Sequence, residues 1–292
     1  MPALQHMLGA FSAPGAWKLW LAVLLMPINW TLETCKWYLL VNREYPFSFQ
    51  QAVKSVLSGI SLSLNTPNRI GEYGGRILYL APEYRLKGVL LTMVSSVSQL
   101  LITLYVGLLA VFILQEELVA AYASLQGGAS WFWFAFVLAA VFTIALSALY
   151  FRIQWLVQWL RKIPFVKKKF AHTPAVGDLP IHISMVLLGY SLLRFVVFAM
   201  QYVFIWQALG VGIAWQDALA GIAVVFFIMS VVPTIALVEL GLRGKVAIGV
   251  MGFFTANAAA ILTGTISIWV LNLVVPALFG ALLMLTFKGF KT

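Results

Sequence analysis

The chain has 292 residues, 62% of them hydrophobic and 10% charged, with a mean hydropathy of +0.96, a balance that excludes a soluble domain. Cys35 is the single cysteine and His6, His172 and His182 are scattered, which excludes internal disulfides, CxxC frameworks and any obvious zinc ligand set. The net charge of +10 sits in short segments between apolar runs, where lysine and arginine set topology rather than bind nucleic acid.

Residues 1 to 16 lack the basic region of a removable signal, and the apolar run that follows is long enough to stay in the membrane as a mature span. A crossing helix needs about 20 largely apolar residues. Such stretches run at roughly 17 to 41, 88 to 114, 131 to 151, 181 to 207, 246 to 262 and 266 to 287. Two shorter stretches, 47 to 64 and 217 to 232, run into Pro67 and Pro233, and their open backbone ends suit re-entrant half-helices shielded by protein or water. The expected fold is an all-α integral membrane protein, a single transmembrane domain over residues 1–292 with six to seven transmembrane helices plus two re-entrant half-helices.

The connector after residue 151 holds Arg152, Arg161, Lys162, Lys167, Lys168 and Lys169, which places it in the cytoplasm. The connector from 115 to 130 carries Glu116 and Glu117 without a basic residue and belongs outside. Counting backwards, the segment from 65 to 87, with Arg69, Arg76, Arg85 and Lys87, is cytoplasmic and the amino terminus is external.

The chain also repeats itself. Phe49-Gln50-Gln51-Ala52-Val53 matches Trp215-Gln216-Asp217-Ala218-Leu219 at an offset of 166 residues, and Pro67 and Pro233 keep that offset. One residue of slippage later, Glu72-Tyr73-Gly74-Gly75-Arg76 matches Glu239-Leu240-Gly241-Leu242-Arg243, both reading E-x-G-x-R. Repeat 1 covers about 17–151 and repeat 2 about 181–287, each with three full crossings, and tandem units with an odd number of crossings lie inverted. Inversion puts Arg243, Lys245, Lys288 and Lys291 outside; a full crossing by 217 to 232 would instead return the carboxy terminus to the cytoplasm and abolish the inversion.

Glutamate and arginine four residues apart share a helix face and can pair, and charges near the bilayer centre cost several kcal/mol unless paired or hydrated. The motifs therefore read either as a polar cavity or as interfacial salt bridges that anchor short helices. In the cavity reading Arg69, Arg76 and Arg243 engage an anionic group such as a lipid phosphate, while Glu72 and Glu239 orient them or accept a cationic moiety. Gly71, Gly74 and Gly241 allow close approach of a backbone or ligand, and Asn65, Thr66 and Asn68 either form the turn around Pro67 or contact substrate. Glu33 and Lys36 either line the same cavity or pair within their own helix. Arg194, central in its span, faces the bundle interior and touches either substrate or a structural carboxylate. The aromatics Trp131, Phe132, Trp133 and Phe134 fit an interfacial belt. No P-loop, G-x-S-x-G elbow or H-E-x-x-H occurs, so neither enzymatic activity nor a cofactor or metal is expected, although Glu72 and Glu239 have the chemistry of an acid and a base.

Asn65-Thr66-Pro67-Asn68-Arg69-Ile70-Gly71-Glu72, followed by Arg76, resembles the N-x-P-x-R-x-G-E signature of the lysylphosphatidylglycerol synthase transmembrane-region family, which includes the flippase half of the multiple peptide resistance factor. A looser copy falls on Pro233, Glu239, Gly241 and Arg243. The resemblance implies a multi-pass protein of the bacterial inner membrane, a flippase-like transporter that moves an anionic phospholipid or lipid-linked substrate between leaflets. It differs from the family pattern at Ser95, Ser96, Val97, Ser98 and Gln99, where a Glu-Arg pair and an aspartate are common, and at Thr234 and Ile235, where a glycine pair is common. Its partners would be membrane lipids, with a second copy of the chain or an envelope-synthesis enzyme as protein partner, and no nucleic acid. The rival readings are a membrane-embedded lipid-modifying enzyme and a non-catalytic partner of an envelope-synthesis enzyme.

Overall fold

In hydrocarbon each backbone N–H and C=O must be satisfied within the chain, so segments this apolar cross as helices. The computed structural model describes residues 15–64, 66, 69–122, 128–152, 179–232 and 236–285, and every regular element among them is helical. Asn65, Pro67, Asn68 and Pro233, Thr234 and Ile235, the basic residues from Arg161 through Lys169, His6, His172 and the segment before Gly15 lie outside the described residues.

Helix α1 (Ala16–Val41) contains Pro27, whose ring removes one backbone donor from the helix interior. Helix α2 (Phe49–Ser63) starts on a capping box: the Ser48 hydroxyl accepts from the Gln51 N–H at 3.2 Å while the Ser48 N–H donates to the Gln51 side chain at 2.9 Å. The short helix α3 (Gly71–Ile77) carries the first motif. A 3-10 turn at Pro82–Tyr84 leads into α4 (Arg85–Ile113), followed by α5 (Gln115–Tyr122) and α6 (Gly128–Phe151). The second half comprises α7 (Ile181–Ala208), α8 (Trp215–Val231), α9 (Ala236–Met251) with the second motif, α10 (Ala258–Trp269), a π-helical turn at Val270–Val274, and α11 (Val275–Leu285).

Among the described residues, four helical rods are long and apolar enough to cross a membrane: Pro82–Ile113, Gly128–Phe151, Ile181–Ala208 and Ala258–Leu285. Helix α1 has the length, about 39 Å at 1.5 Å per residue, but Lys18, Asn29, Glu33 and Lys36 make it more polar than these. By the same rise α2 and α8 reach only about 22 and 25 Å, short of a hydrocarbon core of roughly 30 Å. Helix α6 is hydrophobic all round, yet only 6% of its most apolar window is buried; Trp131, Phe134, Val137 and Ile144 project outward, as an oily solvent permits.

The expected spans at 246 to 262 and 266 to 287 are corrected. Helix α9 ends at Met251, the chain turns through 252–257, and one continuous rod runs from Ala258 to Leu285. The turn is defined by hydrogen bonds: the Gly252 and Thr255 N–H groups reach back to Ile248 and Met251, and the Asn257 side chain accepts from the Ala260 N–H at 3.1 Å to start α10. Phe253, Phe254 and Ala256 keep that turn apolar, which is why hydropathy runs through it without a break.

The chain forms two compact units. One consists of Thr31–Ile102, Val141–Leu193 and Pro276–Thr292 and holds α2 and α3; its core includes Trp37, Leu40, Val56, Leu91, Val94 and Leu187. In it α11 meets α2 so closely that a Cβ on Gly280 would lie 2.0 Å from the Leu57 carbonyl oxygen. The other consists of Met1–Trp30, Thr103–Ala140 and Arg194–Val275 and holds α8 and α9, with Ala22, Tyr202, Trp206, Ile222, Val225, Ile261 and Ile268 in its core. There Gly264 of α10 admits Trp206 of α7, whose indole N–H donates to the Ile261 carbonyl at 3.3 Å.

Candidate functional site

The first motif is built on a helix pair with glycine at its contact. A Cβ on Gly75 would lie 2.5 Å from the Gly59 backbone, and one on Gly71 would lie 2.1 Å from the Leu62 carbonyl oxygen, so α2 and α3 touch backbone to backbone. Thr66 clamps the turn between them: its hydroxyl donates toward the Leu62 and Ser63 carbonyls at 3.3 Å and accepts from the Gly71 N–H at 2.8 Å. Arg69 completes the turn at φ 57°, the left-handed region that a side chain with a Cβ rarely adopts. Of the two glycines between the motif's charges, Gly75 makes the backbone approach, as Gly71 does before them, while Gly74 has open space around it.

This packing carries Arg76 into the interior, where it is 2% exposed. Its Nη2 donates to both Glu72, one turn back on α3, and Glu33 of α1. Trp37 lies against the guanidinium, 5.5 Å from ring centroid to Cζ. Glu33 in turn faces Lys36 at 3.7 Å and accepts from the Ser95 hydroxyl at 3.4 Å, while the Lys36 ammonium donates to the Ser95 carbonyl at 3.0 Å. Glu33 and Lys36 thus belong to the Arg76 cluster, which Ser95 of α4 joins. Two carboxylates and two cations are joined in one buried, formally neutral group. Among the described residues Arg76 Nε and Nη1 are buried without an acceptor, so donors of a group that has five remain unused there.

The second motif repeats the pair with different company. Arg243 donates to Glu239 on α9, and Glu239 is 7% exposed. The buried Tyr202 hydroxyl of α7 lies within electrostatic reach of Arg243 without forming an aligned hydrogen bond, and Arg243 Nε is buried without an acceptor. Tyr202 is fixed by ring contacts with Phe198, Trp206 and Phe226 at 5.2–5.9 Å. Gly241 is exposed with no protein atom within 4 Å of its Cβ position, so no backbone approaches it.

Arg194 sits in a third group, which comes from residues the sequence reading passed over. Its Nε donates to Asn29 at 2.9 Å and its guanidinium stacks on Trp30 at 5.6 Å. The Asn29 amide donates to Asn272 at 3.3 Å, Asn272 donates to Gln201 at 3.1 Å, and Gln201 donates to the Ala22 carbonyl at 2.8 Å. Asn272 lies in the π-helical turn, a distortion often found at functional sites. The signal was present as amides in oil beside Pro27 and Pro276.

The geometry can hold anions. Buried guanidinium edges, offset by carboxylates in the same helix turn, match the paired oxygens of a phosphate or carboxylate. No curated protein and no solved structure matches the chain. The family model described as the lysylphosphatidylglycerol synthase TM region matches residues 4–280. With its helices long and apolar enough to cross a bilayer and its signature Glu–Arg pair folded inward, the chain is a membrane protein that belongs to the lysylphosphatidylglycerol synthase transmembrane-region family.

Proposed function

We propose that this protein is a flippase-like transporter that moves an anionic phospholipid, or a lipid-linked substrate with the same headgroup chemistry, between leaflets, and that its Glu–Arg motifs receive the headgroup. The observation that carries this reading is Arg76, fully buried, shared by Glu33 and Glu72 through one nitrogen, with its other two nitrogens lacking an acceptor. A phosphate would meet that edge with two oxygens, and the carboxylates keep the closed site neutral between visits. Arg243 with Glu239 and Tyr202, and Arg194 held by Asn29, offer the same guanidinium chemistry. Arg69, in the turn before α3, meets the headgroup nearer the surface.

The architecture that suits this function has five crossings, α1, α4, α6, α7 and the α10–α11 rod, and two re-entrant hairpins, α2–α3 and α8–α9, in inverted repeats. Its setting is the bacterial inner membrane, its partners are membrane lipids, and any protein partner is a second copy or an envelope-synthesis enzyme. No bond is made or broken, so the chain acts as a carrier rather than an enzyme, and the lipid recovered keeps its mass.

The test is reconstitution in vesicles with a fluorescent phosphatidylglycerol whose outer-leaflet fraction is bleached by an impermeant reductant. Wild-type protein should expose the inner-leaflet pool. Arg76→Gln should slow it by about tenfold to a hundredfold, given that a hydrogen bond to a charged group contributes roughly 1.5–3 kcal/mol. Equal rates with and without protein would refute the reading, as would a lipid product of altered mass.

A further inference from the structure

We propose that the Arg76 site binds its phosphodiester together with a proton, which Glu72 accepts, so that headgroup loading is proton-coupled. This rests on the transport reading above and adds what that reading leaves open: how a neutral buried cluster takes in an anion. Glu33 and Glu72 balance Lys36 and Arg76 in a site whose members are linked by direct contacts. A monoanionic phosphodiester entering that cluster would leave one uncompensated negative charge in low dielectric, which is among the least favourable arrangements a buried site can hold. Protonation of one carboxylate restores neutrality and at the same time frees the Arg76 Nη2 from one of its two partners.

Geometry selects Glu72 over Glu33. Glu33 faces two cations, Arg76 and Lys36, and accepts from the Ser95 hydroxyl, with a side chain only 5% accessible. Glu72 has Arg76 as its ion-pair partner and a side chain that is 24% accessible, the more open of the two carboxylates. The surrounding elements add little compensating charge. Helix α2, which packs on α3 through Gly59, has Lys54 as its only charged residue, and Lys54 is exposed. Helix α4 contributes Ser95 to the cluster, while its Lys87 is engaged by Glu44. Helix α1 supplies Glu33 and Lys36. The unused Nε and Nη1 of Arg76 then offer the docking edge, and Nη2 turns from Glu72 to the incoming oxygen.

Linkage fixes the sign. A proton taken up on binding makes affinity fall as pH rises, by up to about tenfold per pH unit for one proton per headgroup. The test is calorimetric titration of the full chain in phosphatidylcholine nanodiscs, between pH 5.5 and 8, in two buffers of different ionisation enthalpy. The probes are dihexanoylphosphatidylglycerol and dimethyl phosphate, diesters that stay monoanionic across that range, so any proton taken up belongs to the protein.

The expected result is one proton taken up per lipid bound by the wild type, and pH-independent binding without uptake by Glu72→Gln. Binding by the wild type without proton uptake overturns proton coupling, and uptake retained in Glu72→Gln overturns Glu72 as the acceptor; either leaves the transport reading standing. Absence of binding for both probes at every pH overturns both. Lipid binding more than about tenfold tighter than dimethyl phosphate supports a lipid headgroup as the source of the phosphodiester, at a gain of about 1.4 kcal/mol; equal affinity overturns that source. The wild-type proton count needs no variant, so it decides the proposal even where Glu72→Gln does not fold.

Discussion

Two adjacent glycines in α3 have opposite roles that only their surroundings reveal. A Cβ at position 75 meets the Gly59 nitrogen and Cα and the Ser58 carbonyl at 2.5 Å, all backbone atoms that cannot rotate away. Gly75→Ala should therefore push α2 from α3 and lower stability by about 1–3 kcal/mol, as overpacking does. At position 74 the same Cβ meets nothing within 4 Å, so Gly74→Ala should be neutral or stabilise the helix by roughly 0.5–1 kcal/mol. Thermal melts in detergent separate the two; equal shifts would mean that the α2–α3 contact is not as close as described. Because Gly75 directly precedes Arg76, the first variant should also loosen the guanidinium from Glu33, and headgroup transport should fall with it. The E-x-G-x-R motif names Gly74 and leaves Gly75 at a free position, and neither composition nor spacing says which one faces a neighbour.

At the scale of the element, the polar chain across α1, α7 and the π-helical turn does what apolar packing cannot: it sets the rotation of three helices about their axes. The extra residue of the π-helical turn at Val270–Val274 aims Asn272 at Gln201 and Asn29 together, and the Ala22 carbonyl that ends the chain lies one turn before Pro27. If these amides act as one network, removing Gln201 and removing Asn272 should not add. Gln201→Leu and Asn272→Leu in a double-mutant cycle should show a coupling of about 0.6 kcal/mol, and at most roughly 1.7, the range found for hydrogen bonds between membrane helices. Additive losses would reduce the chain to separate contacts. The same element scale explains what could be read in advance. Four-residue spacing gave the Glu72–Arg76 and Glu239–Arg243 pairs, and apolar runs gave α1, α4, α6 and α7 closely. Glu33 and Asn29 were harder, since a polar residue in a span announces that it faces inward but not which helix it meets. The turn at 252–257 was hidden by its own phenylalanines.

At the scale of the molecule, merging two expected spans into the α10–α11 rod changes the parity of the chain. A helical hairpin returns to the side it left, whether or not it reaches the far surface, so α2–α3 and α8–α9 do not alter the count. With the amino terminus outside, the proposed crossings take α1 in, α4 out and α6 in, which agrees with the expected external Glu116 and Glu117 and the expected cytoplasmic connector after α6. In the same proposed architecture helix α7 leads out and the final rod leads in. Lys288 and Lys291 follow that rod, so the inverted arrangement no longer places them on the wrong side; Lys245, exposed on α9, is the exception that persists. On the proposed inverted arrangement, the loops preceding the two motif hairpins are expected on opposite faces of the membrane. Pro46 and Gly212 are exposed positions in those loops. With Cys35 replaced by alanine, Gly212→Cys should react with an impermeant maleimide in intact cells, and Pro46→Cys should react only after the membrane is opened. Labelling of both from the same side would make the repeats parallel, leaving two like-facing hairpins that cannot serve the two leaflets in turn.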